Sequence, residues 1–129
     1  MLEPVTVARI VTTPEALDAV SLPDNAILLR SSPDEAMAIG VAPDDVGLSD
    51  PHAIVVADAG WNGTWITPEQ TERLLAAGAE WAPPEPRPAL AQGMLLHLPV
   101  KLWLEADRTL VLTPHTVAAD LADRMGAVV

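Results

Sequence analysis

The chain contains no cysteine. Disulfide staples, thiolate metal sites and thiol nucleophiles are therefore excluded. Phe and Tyr are absent too, so the aromatic side chains are four Trp. Basic residues are scarce: seven Lys and Arg stand against 18 Asp and Glu, for a net charge of −11. A nucleic-acid backbone and an anionic membrane surface both recruit clustered Lys and Arg, so the balance argues against either partner. No segment reaches the ~18 consecutive apolar residues of a membrane helix. Met1-Leu2-Glu3-Pro4 lacks the basic start and apolar run of a signal peptide, and the expected location is the cytoplasm.

Half of the 129 residues are hydrophobic, and mean hydropathy is +0.26. A real core is available, and the length is that of one domain. Val5 to Val11 reads as a β-branched strand, followed by a helix opened by Thr13-Pro14-Glu15 and running to about Val20. Two apolar runs, Ala26–Arg30 and Ala36–Ile39, flank turn residues Ser31-Ser32-Pro33-Asp34 and read as a hairpin. A helix starting at Pro33 is the competing reading. Residues 41–51 hold Pro43, Gly47, Pro51 and three Asp, so they read as a loop or internal linker. Ala53–Val56 and Trp61–Ile66 read as strands, with a turn at Ala59-Gly60 and a bulge or turn at Asn62-Gly63.

Thr67-Pro68-Glu69-Gln70 is the strongest helix start: N-cap Thr, Pro at the first helical position and Gln at the third. Gly78 is the expected stop. Four prolines between Ala82 and Pro88 predict an extended connector. Leu90–Leu98 and Val100–Leu104 read as strands flanking Pro99, then Thr109–Leu112 as the last strand after a turn at Asp107-Arg108. Thr113-Pro114 is expected to cap a final helix with Val117, Leu121 and Met125 on one stripe. Hairpins interleaved with three helices predict an α+β fold with a mostly antiparallel sheet over a single domain, residues 1–129.

Catalytic chemistry is hard to find. His52, His97 and His115 are far apart and lack metal-ligand spacing, so they read as structural or solvated, and no metal is expected. His97 is expected in an apolar strand. No Ser sits in a G-x-S-x-G turn. Asp44, Asp45 and Asp50 do not match a Ca²⁺ loop. No Gly-rich phosphate loop occurs. Asp58, Gln92 and Arg30 are the polar residues available for a ligand pocket. With no Phe or Tyr, at least two Trp are expected to anchor the core. Trp61 and Trp65, four apart in a strand, should share a face. Trp81, beside the stiff run Pro83, Pro84 and Pro86, is the candidate interface residue.

One family shares this order of motifs. The carriers are Trp61-Asn62-Gly63-Thr64-Trp65-Ile66, a helix ending Leu74-Leu75-Ala76-Ala77-Gly78, a connector, Ala91-Gln92, and Leu98-Pro99-Val100-Lys101-Leu102-Trp103. Upstream, Leu28 to Glu35 adds a Pro-Asp-Glu hairpin. The chain resembles the gamma subunit of heterotetrameric sarcosine oxidase, although Ala89-Leu90 stands where that family carries Arg-Cys. The resemblance implies a fold like the folate-binding domain of aminomethyltransferases. It implies a noncatalytic accessory subunit in a hetero-oligomer with larger flavoprotein subunits, which would carry the flavin, dinucleotide and folate. It implies no cofactor and no catalytic residue in this chain. The alternative is a stand-alone binder of a small folate-like or pterin-like ligand.

Overall fold

A computed structural model describes residues Met1–Val129. In chain order the elements are β1 (Glu3–Pro4), β2 (Val7–Val11), α1 (Pro14–Asp18), β3 (Ile27–Ser32), β4 (Glu35–Ile39), β5 (Ile54–Ala57), β6 (Trp61–Ile66), α2 (Pro68–Gly78), β7 (Ala89–Leu95), β8 (Leu98–Leu104), β9 (Thr109–Pro114) and α3 (Ala118–Gly126). Short 3₁₀ turns lie at Pro43–Asp45 and His115–Val117. The fold is α+β with antiparallel pairing throughout and three α-helices, as expected from sequence. No helix is long and apolar enough to cross a membrane.

Internal contacts divide the chain into two compact units, Val5–Ala59 and Met1–Pro4 with Gly60–Val129. The first holds a four-stranded sheet in the order β3-β4-β2-β5. Its core is Ala8, Ile10, Leu17, Ala36, Ala38 and Val41. Thr13 caps α1 by accepting the Ala16 N–H at 3.1 Å. Pro33-Asp34 forms the tip of the β3–β4 hairpin, so a helix starting at Pro33 does not occur. Residues 41–51 belong to this unit, with Val41 buried and a bridge from Gly47 to Ser21.

The second unit holds a five-stranded sheet in the order β1-β6-β9-β8-β7. One face packs against both longer helices: Leu74, Leu121 and Met125 cover Ile66, Ala91, Leu95, Leu98, Val100, Leu102, Leu104 and Val111. Thr67 and Gln70 close the predicted capping box on α2 at 3.1 and 2.9 Å. The buried Thr71 and Thr109 hydroxyls, 2.9 Å apart, tie α2 to β9.

Several sequence expectations are corrected. Ala59-Gly60 does not close a hairpin, because β5 pairs with β2 while β6 pairs with β1 and β9. Asn62-Gly63 is neither bulge nor turn; the β6–β9 register runs unbroken from Trp61↔Pro114 to Ile66↔Thr109. Thr113-Pro114 does not cap a helix. Both residues finish β9, and the buried Thr113 hydroxyl is committed to Pro99 O at 2.9 Å. Pro99 lies inside β8 rather than between strands, since pairing with β9 begins only at Lys101 and asks no N–H of it. None of the four Trp is fully buried. Aliphatic Leu, Ile, Val and Met fill the core in their place.

Candidate functional site

The second unit presents two chemically distinct surfaces. The first starts from the two-residue link between β7 and β8. Leu95 pairs with Leu98, so Leu96 and His97 form the whole turn. Both have positive φ, 53° and 67°. A type I′ hairpin turn needs this at both positions, which is why Asn-Gly usually fills it. Here two residues with full side chains are held there, at a cost of roughly 1–2 kcal/mol each. His97 is thus at an exposed tip and not within a strand, which corrects the expectation from its apolar surroundings.

Two clamps hold the tip. The Leu96 N–H donates to Gly78 O at 3.0 Å, and Arg124 Nη1 on α3 donates to Leu96 O. Gly78 has no room for a side chain: a Cβ there would lie 2.7 Å from the Leu96 side chain. Trp81, past the end of α2, lies against Gly93, whose Cβ would stand 2.8 Å from its Nε1. That indole N–H donates to Met94 O at 3.0 Å. These elements enclose an open groove of about 730 Å³. Ala77, Gly78, Trp81, Met94 and Leu96 make its apolar walls, and Glu80, His97 and Arg124 its polar rim.

The second surface lies on the sheet face opposite the α2- and α3-packed one, where Leu110 and Leu112 of β9 are buried among larger side chains. Strand alternation puts Trp61 and Trp65 of β6 on it, as expected, together with Lys101 and Trp103 of β8 and Gln92 of β7. The Arg108 guanidinium stacks 3.7 Å from the Trp65 ring centre. Its Nε donates to Glu105 at 2.8 Å, and Trp103 Nε1 donates to the other Glu105 oxygen at 2.9 Å. The Arg108 hydrogen bond, supplemented by that from Trp103, holds the Glu105 carboxyl below the usual range. Arg87 lines a small hollow beside Trp103, with its guanidinium bonded to the carbonyls of Pro84, Glu85 and Pro86.

The other sequence-picked residues are dispersed. Arg30 is a staple in the first unit, paired with Asp18 and bonded to Pro33 O at 2.7 Å. Asp58 follows β5 at the opposite sheet edge, its N–H on Val7 O at 2.9 Å. Gln92 belongs to the second unit, accepts from Lys101 Nζ, and lines a groove of about 300 Å³ with Trp61, Met94 and Pro99. Pro83 is half-buried, while Pro84 and Pro86 are exposed. His52 sits in a turn with its N–H on Asp50 Oδ1. His115 Nδ1 lies 2.9 Å from Asn62 Oδ1; because Asn62 Nδ2 donates to Leu2 O, that oxygen accepts and Nδ1 carries the proton.

Arg124, Leu96 and Arg108 were missed by sequence reasoning. One signal was present. The inward alternation Ala91, Gly93, Leu95 resumes as Leu98, Val100, Leu102, and the phase change marks a two-residue turn at Leu96-His97. Comparison of the chain with protein-family models, with curated proteins and with solved structures finds no match.

Proposed function

We propose that this chain is a noncatalytic accessory subunit of a multi-subunit flavin-dependent oxidase or dehydrogenase acting on an N-methylated amine. In this reading it works in the cytoplasm, its fold is akin to the folate-binding domain of aminomethyltransferases, and the flavin, dinucleotide and folate reside in larger partner subunits. The observation that carries the reading is how residues 60–129 fold. Four of the five motifs of the resemblance fall in order within one compact unit: Trp61–Ile66 is β6, Leu74–Gly78 ends α2, Ala91-Gln92 lies on β7, and Leu98–Trp103 is in its neighbour β8, while the Leu28–Glu35 hairpin lies in the other unit.

The exposed Trp65 and the Arg108-Glu105-Trp103 cluster beside it support a docking role. Trp and Arg are the side chains most enriched among residues that carry binding energy. Trp65 is 38% exposed, and Arg108, Glu105 and Trp103 are already locked to one another beside it. Little side-chain freedom is left to lose on association. The adjoining connector with Pro83, Pro84 and Pro86, stapled by Arg87, extends the contact, and Trp81 anchors its start. The test is affinity isolation of the tagged chain from its own cells. Larger subunits with a flavin spectrum are expected; a lone, colourless chain overturns the reading.

A further inference from the structure

We propose that the groove between the end of α2, the Leu96-His97 tip and α3 binds an apolar aminocarboxylate, a zwitterion with an apolar side chain. Its capacity of about 730 Å³ falls within the range of small-molecule sites. The lining is mostly apolar and includes two side chains of opposite charge, Glu80 and Arg124, with His97 beside them. Arg124 spends one N–H on Leu96 O and keeps others for a carboxylate, which a guanidinium takes in a planar fork.

Glu80 lies two residues past α2, where the helix end adds negative potential. Beside it the Trp81 ring offers a π-face for an ammonium group. The indole N–H is already satisfied by Met94 O, so the ring position is set before any ligand arrives. A simple anion would oppose both Glu80 and the net charge of −11. A simple cation would leave Arg124 unanswered. A zwitterion answers both charges, and Met94 and Leu96 of the lining receive its apolar side chain. The strained tip fits the same purpose: left-handed Leu96 and His97 persist because Gly78 and Arg124 fix them, and this fixing sets the rim. The site stands independently of the subunit reading.

The test uses the full chain and three probes: L-phenylalanine, phenylacetate, which lacks the amine, and phenethylamine, which lacks the carboxylate. Binding is followed through the Trp81 indole N–H resonance. Saturable shifts with L-phenylalanine are expected, with each truncated probe at least tenfold weaker. Arg124→Gln should weaken L-phenylalanine tenfold or more and phenethylamine by a clearly smaller factor, because both lose the clamp on the tip but only L-phenylalanine also loses its carboxylate partner. Glu80→Gln, at an exposed side chain with no fold contact, should weaken L-phenylalanine and leave phenylacetate unweakened. No saturable shift, equal binding of all three probes, or indifference to Glu80→Gln overturns the proposal.

Discussion

Gly93→Ala should destabilise the protein, and Trp81→Ala should reverse the sign of that effect. A Cβ at Gly93 would lie 2.8 Å from Trp81 Nε1 and 3.0 Å from its Cε2, well inside ordinary contact. The indole cannot yield freely, because its N–H is bonded to Met94 O and its ring packs on the core. Overpacking costs roughly 1–3 kcal/mol, and loss of the hydrogen bond adds about 1 kcal/mol. Replacing a strand Gly returns roughly 0.5–1 kcal/mol. The net loss is about 2 kcal/mol, or on the order of 5–10 °C in melting temperature at this chain length. With Trp81 truncated the clash vanishes and only the favourable term remains, so Gly93→Ala becomes neutral or stabilising. The coupling energy is then about 2–3 kcal/mol in a double-mutant cycle by urea denaturation. Equal destabilisation in both backgrounds would refute the assignment of the indole to Gly93. The same packing means that Trp81→Ala alone should lower stability, although the sequence offered this residue as an interface candidate.

His97→Asn should raise the melting temperature by a few degrees, since Asn tolerates the left-handed region at lower cost; a fall would show that the His97 ring makes a stabilising contact. Thr67→Ala should cost about 1 kcal/mol by removing half of the α2 capping box, and an unchanged denaturation midpoint would contradict that role. Glu105, whose carboxyl is depressed by Arg108 and Trp103, contributes stability that is complete above the ordinary value of 4.5 and lost as pH falls through the lower folded value. The melting-temperature gap between the parent and Glu105→Gln should therefore close on acidification, and a gap that widens toward low pH would refute the sign.

The elements written in local chemistry were legible: two Thr-Pro caps, the Pro33-Asp34 hairpin tip and the Leu121-Met125 stripe all rest on neighbouring residues. The third Thr-Pro misled because the Thr113 hydroxyl found a cross-strand partner in Pro99 O, a choice made by tertiary pairing. The separation of β5 and β6 into different sheets was equally hidden, since consecutive strands usually neighbour one another. Leu-His carries none of the usual turn chemistry, so the tip that shapes the groove looked like continuous strand. At least two Trp were expected in the core because no Phe or Tyr is present to fill it. Nothing in the positions of Trp65 and Trp103 announced Arg108 and Glu105 as partners.

The most direct test of the subunit reading is a size-resolved separation of native cell extract, with the chain tracked by antibody and each fraction assayed for N-methylamine-dependent dye reduction. The account predicts that the chain migrates far above its own 13.6 kDa and coincides with both the activity and flavin absorbance. A chain that runs at its own mass, away from any such activity, would contradict it.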